Sequence, residues 1–153
     1  MLKDQIDLLS AFNAHGVEYV VIGGYAVNAY TEARFTKDID LLIRNTEANG
    51  YAVFKALASF GAPLAGVTPA DFSGKPDQFF LLGVEPNRID ILQSIPGVAT
   101  EDVWRDSVVG ELDNISVRFI SLEHLVTNKL AAGRQRDLGD VEELRKFQRK
   151  RSS

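Results

Sequence analysis

A chain of 153 residues, 45% hydrophobic and 25% charged, has the composition of one folded domain, and those proportions fit neither a disordered chain nor a membrane protein. The absence of cysteine excludes disulfides and thiolate metal sites, so any metal falls to carboxylates and the two histidines, which favours hard cations. A net charge of −4, from 17 basic and 21 acidic residues, argues against broad nonspecific binding to nucleic acid.

The opening MLKDQIDLLS has no basic segment ahead of an apolar core, and no uncharged run approaches about 18 residues, so a cytoplasmic chain with no membrane partner is expected. Leu2, Ile6, Leu9 and Phe12 recur at helical spacing, and Gly16 supplies a stop, predicting a helix over 2–15. Residues 18–22, EYVVI, form a short β-rich run that ends at Gly23-Gly24, and YAVNAY then continues as a buried helix. A second strand is predicted over 38–43. A helix capped by Asn45 or Thr46 follows to Phe60, where Gly61 and Pro63 end it.

Residues 61–78 hold Pro63, Pro69 and Pro76 among three glycines and predict a long loop. The runs 78–84 and 88–92 flank Glu85-Pro86-Asn87 and predict an antiparallel hairpin. A short helix over 101–106 leads to a second hairpin, 108–112 with 115–120, turning at Asp113-Asn114. Ser121 caps a helix, and the remaining tail is helical but interrupted around 133–139. RKFQRKR at 145–151 reads as a solvated helix end. The whole predicts an α/β (α+β) fold in a single domain, with a mixed, largely antiparallel sheet of about five strands flanked by helices.

Three acids interrupt this pattern. Asp38 and Asp40 lie one residue apart in RFTKDIDLLI, so a strand there turns both to one face. Asp is depleted in strands, and exposure on a solvent face is the plain explanation for the pair. Asp90, set in the similar RIDIL, makes a third. Like charges about 5 Å apart repel by roughly 3 kcal/mol per pair at an effective dielectric of about 20, so a cation is expected among them. With oxygen ligands alone, Mg²⁺ suits such a group, and it keeps waters and substrate phosphates as its other ligands. Gly23-Gly24 at a strand-to-helix turn offers backbone N–H groups to a phosphate. Neither the P-loop nor the Rossmann fingerprint is present.

The combination of Gly23-Gly24, thirteen residues, Asp38-Ile39-Asp40 and then Ile89-Asp90-Ile91 resembles the nucleotidyltransferase superfamily related to DNA polymerase β. More narrowly, GGYAVNAYTEARFTKDIDLLI looks like the bacterial minimal nucleotidyltransferases, including AbiEii-like toxin relatives. The likeness covers residues 18–92 well and the C-terminal helices loosely. It implies that Asp38 and Asp40 hold two Mg²⁺ ions, with Mn²⁺ as a substitute, and that Asp90 is a further metal ligand and the general base. Tyr25 after Gly24 departs from the Gly-Ser form of the turn and removes one hydroxyl from the phosphate site.

Arg34 and Thr36 share the parity of the two aspartates if the strand begins early, and extend the same face toward a nucleotide such as ATP. Lys129 lies on or beside the apolar stripe of its helix. It either snorkels or reaches the triphosphate, as the resemblance implies. Arg136, Asp137 and Asp140 read as a local salt-bridge group, His15 and His124 as helix-end residues, and Trp104 as a core anchor.

The implied reaction moves a nucleoside monophosphate from an NTP to an acceptor hydroxyl of a small molecule, tRNA or protein. The alternatives are a non-catalytic nucleotide- or partner-binding module of a toxin–antitoxin-like system, and hydrolysis of a phosphoester. A homo-oligomer or an antitoxin is open as partner.

Overall fold

The computed structural model describes residues 1–31, 36–84 and 87–152. Helix α1 (Lys3–Ala14) buries Leu8, Leu9 and Phe12 on one side. Gly16 then reverses the chain into β1 (Tyr19–Ile22), whose four residues are all buried, as in a strand covered on both faces. Helix α2 (Gly23–Tyr30) starts with no intervening loop, β2 (Ile39–Ile43) follows, and α3 (Glu47–Phe60) comes next. The Thr46 hydroxyl accepts the Asn49 N–H at 3.1 Å, and Gly61 closes α3 at a φ of +95°. Both of those helix ends were legible in the sequence.

The predicted loop over 61–78 carries one 3-10 turn, Pro69–Phe72, which packs on α3 and sets Phe72 edge-on to Phe80 with ring centres 5.6 Å apart. The strands β3 (Phe79–Leu82) and β4 (Ile89–Leu92) pair antiparallel as expected. After α4 (Thr100–Arg105) comes the second hairpin, β5 (Val108–Leu112) and β6 (Ile115–Phe119). It turns at Asp113 and Asn114, with φ of +48° and +68°, the positive values a two-residue turn of type I′ requires. Ser121 Oγ accepts the His124 N–H to cap α5 (Leu122–Ala132), and α6 (Gln135–Ser152) completes the chain. The break between these two helices is confined to Gly133 and Arg134, narrower than predicted, and Gly139 sits inside α6.

The six strands lie in the order β3-β4-β2-β1-β6-β5. The pairs β2–β4 and β1–β6 are parallel and the other three antiparallel, the mixed and largely antiparallel sheet that was expected. Register assigns the faces. Tyr19, Val21, Leu41 and Ile91 share one face, where Phe12 of α1 meets the Tyr19 ring at 5.4 Å between centres. Ile22, Asp40 and Asp90 share the other. The helices α2, α5 and α6 gather together, with Tyr30 against Phe147 and its hydroxyl donating to the Ile120 carbonyl at 2.8 Å.

Trp104 packs against the core from its edge. It is half-buried, with the guanidiniums of Arg44 and Arg118 lying 5.6 and 5.0 Å from its ring centre. Among the described residues no helix is long and apolar enough to cross a membrane.

Candidate active site

The parallel pairing of β2 with β4 sets Asp40 directly beside Asp90, and Ile22 at the end of β1 flanks Asp40 on its other side. Two carboxylates on neighbouring strands in register share a face across a strand spacing of about 4.8 Å. Asp38 precedes β2 by one residue. The Thr36 hydroxyl donates to its carbonyl at 3.3 Å, and its Oδ1 accepts the Arg88 N–H at 2.7 Å.

Glycine suits both positions of the turn over these acids. Gly23 has a φ of +68°, and a Cβ there would lie 2.1 Å from Asp40 Oδ2. At Gly24 a Cβ would lie 2.8 Å from Thr36 Oγ1. The start of α2 is thereby pressed onto the β2 carboxylate, with its unpaired backbone N–H groups at the same place.

The cation expected among the acids is Arg88, a residue the sequence reading passed over. Its Nε donates to Asp90 Oδ1 at 2.6 Å and its Nη2 to Asp90 Oδ2 at 3.1 Å. The signal was present, since Arg88 stands two residues before Asp90 and a strand turns both to one face. Among the described residues no cation bonds to Asp40 in this way. Burial first, and then the charge and hydrogen bonding of Asp90 and the charge of Asp38, push its carboxyl up from 3.8 to about 7, opposed by the charges of Lys129 and Arg134.

These residues line a cleft of about 540 Å³ whose far wall is α5 and the start of α6. Lys129 is on that wall and is 5% exposed. Its ammonium is held by Asp137 Oδ1 at 3.2 Å and Asp140 Oδ2 at 3.1 Å. Arg134 joins the group through Nε to Asp137 Oδ2 at 2.6 Å. Burial would raise Asp137, but the hydrogen bonds and charges of Arg134 and Lys129 outweigh it and hold the pKa below the ordinary carboxylate value. The salt-bridge group read around Asp137 and Asp140 is therefore real, but its cations are Lys129 and Arg134. Arg136 is exposed on the cleft wall, with no ion-pair partner among the described residues.

Of the expected site residues, Asp38, Asp40, Asp90, Gly23, Gly24, Thr36 and Lys129 all meet in this cleft. Arg34 lies outside the described residues. Among the described residues, no group of three or more His, Asp or Glu is arranged to hold a metal ion as the side chains stand. The geometry gives the reason, since Arg88 engages Asp90 through its side chain and Asp38 through its backbone. The donor set nonetheless fits a hard cation. It is all oxygen, it is partly buried, and Asp40 and Asp90 stand side by side with charge that Arg88 neutralises only in part.

The chain belongs to the family described as nucleotidyl transferase of unknown function (DUF2204), which matches residues 1–153. No curated protein matches it in sequence. The fold is similar to that of a lincosamide antibiotic adenylyltransferase, LnuA, in a crystal structure with lincomycin bound. That likeness has a TM-score of 0.55 at 16% identity and covers 96% of this chain and 98% of the other. The chain is thus a nucleotidyl transferase by family, with the nucleotidyltransferase fold expected of it.

Proposed function

We propose that this chain transfers a nucleoside monophosphate from an NTP to an acceptor hydroxyl, with pyrophosphate leaving. The observation that carries this reading is the in-register pair Asp40 and Asp90, pressed against the Gly23-Gly24 turn in a cleft with a cationic far wall. Asp38, Asp40 and Asp90 would hold Mg²⁺. Bound there, the cation would neutralise triphosphate oxygens and the charge that develops on the leaving group.

The chain's own groups divide the remaining work. The N–H groups at the start of α2 and the guanidinium of Arg136 receive phosphate oxygens. Lys129 is less suited to that task, because two carboxylates already share its ammonium. Its part is to anchor α6 to α5 and to moderate the charge beside Asp40. Asp90 accepts the proton of the acceptor hydroxyl as the new O–P bond forms at the α-phosphorus and the bond to the bridging oxygen of pyrophosphate breaks. Arg88 must release Asp90 for that step, and the incoming phosphates give it another anion to meet.

The test is pyrophosphate release from each NTP in the presence of Mg²⁺, with Asp40→Asn alongside. Release by the wild type and its loss in the variant are expected. Mg²⁺-dependent NTP binding with no pyrophosphate release would instead support the non-catalytic binding module, and NTP hydrolysis without incorporation would point to a phosphoesterase.

A further inference from the structure

The two walls of the cleft differ in chemistry, and the difference bears on what accepts the nucleotide. The α5–α6 wall carries Lys129, Arg134 and Arg136. On the other side of the carboxylate pair, beyond β4, lies β3, the edge strand of the sheet. Its register with β4 places Leu81 directly across from Asp90 and Phe79 across from Leu92, so both point to the carboxylate face. Directly opposed residues of an antiparallel pair have Cβ atoms about 5 Å apart. Phe79 is 63% exposed and Leu81 43% exposed. Leu92, the register partner of Phe79, lines the cleft with Ile95 and Pro96. A single exposed leucine means little, but two exposed apolar side chains on one face, one of them directly across from Asp90, mark a ligand surface.

The charges on that side decide between ligands. Residues 76–87, PDQFFLLGVEPN, contain no lysine or arginine and two acids. The cations that flank this stretch in sequence are engaged, Lys75 with Asp71 at 3.1 Å and Arg88 with Asp90 at 2.6 Å. A nucleic acid is held chiefly by phosphate contacts from lysine and arginine, and this shelf offers none.

We infer that the acceptor is a small uncharged alcohol with an apolar, ring-sized body, seated on Phe79 and Leu81 with its hydroxyl toward Asp90. The inference rests on the nucleotidyl-transfer reading, which places the acceptor on the Asp90 side of the nucleotide. It gives β3 a role in selecting the substrate, through apolar contact that a strand edge supplies without moving.

The experiment uses the full chain, ¹⁵N-labelled, and two titrations followed by NMR. The first adds NTP with Mg²⁺ and tests the underlying reading. The second adds 2-phenylethanol as a neutral aromatic alcohol. It is expected to shift the amides of 79–82 and 90–92. The double variant Phe79→Thr with Leu81→Thr keeps β-forming residues at exposed positions. It should weaken binding of the alcohol about tenfold while NTP affinity stays within about twofold. Shifts that fall elsewhere, or that survive in the double variant, would overturn the inference while leaving the NTP result standing. So would labelling of total tRNA from α-³²P-labelled NTPs that the double variant retains, or a wild-type dimer that the double variant dissolves in sedimentation. An NTP titration that shifts nothing in the cleft would fail the parent reading, and the assignment of the shelf to an acceptor with it.

Discussion

Asp40→Asn separates the cost of the acid pair from its use. The native carboxyl titrates at about 7 where an unperturbed aspartate does so at 3.8, so the fold binds a proton that the unfolded chain has already released. Below pH 4 both states are protonated and the site costs nothing. Between pH 4 and 7 only the unfolded state ionises, so stability falls as pH rises. Above pH 7 both are ionised and the full penalty remains, on the order of 4 kcal/mol for a shift of this size. Asparagine removes the ionisation at nearly the same volume. Urea denaturation in EDTA should therefore show wild-type stability falling by a few kcal/mol from pH 4.5 to 8, with Asp40→Asn flatter and the more stable protein at pH 8. Added Mg²⁺ should restore much of the wild-type loss at pH 8 and leave Asp40→Asn unchanged. Parallel pH profiles for the two proteins would refute the reasoning, because Asp40 would then ionise alike in both states.

Gly23→Ala should abolish pyrophosphate release and lower Tm, since a methyl 2.1 Å from Asp40 Oδ2 at a φ of +68° forces the turn off the carboxylate; a fully active variant would show that the turn can yield. Lys129→Met should destabilise the chain by about 3–5 kcal/mol in urea, because it leaves the buried Asp137 and Asp140 short of a cation; a change under about 1 kcal/mol would mean that Arg134 alone suffices. Arg88→Gln should tighten Mn²⁺ binding in calorimetry by freeing Asp90, and weaker binding would show that Arg88 organises the site for the ion. Arg136→Gln should raise KM for the NTP with little change in Tm, and an unchanged KM would remove it from phosphate binding.

What the sequence could disclose followed the range of the interactions concerned. Thr46, Gly61, Ser121 and Asp113-Asn114 act on backbone within a few residues, and the helix ends and the hairpin turn fell where they were expected. The carboxylate pair was legible because strand parity is local, and the third acid because RIDIL repeats the setting of an acid between branched apolar residues. The partners of Lys129 were harder to see. Its spacing marked it as near the apolar stripe, but which anion meets a lysine depends on how α6 folds back after Gly133, and Asp137 and Asp140 reach it from eight and eleven residues away. Trp104 was legible in part. Its size suggests burial, and it does pack against the core, but the two arginines that also reach its ring come from elsewhere in the sequence. Leu81 beside Asp90 needed the register of β3 with β4, which the sequence does not print.

The arrangement of charge in the cleft links these points. Asp38, Asp40 and Asp90 bring three carboxylates to one end of two strands, and the protein supplies one guanidinium among them, from Arg88. Lys129 and Arg134 are paired with Asp137 and Asp140, so they offset the charge at Asp40 only in part. Burial first, and then this deficit, raise the carboxyl of Asp40. A purely structural site would be expected to relieve it with a nearer cation or an apolar substitution, since apolar replacement of buried charge is often stabilising. Keeping the deficit makes sense where a diffusible cation arrives with the substrate. Under the proposed function, the free energy that burying these acids costs would be returned when cation and triphosphate bind together, which would couple affinity for the one to the presence of the other.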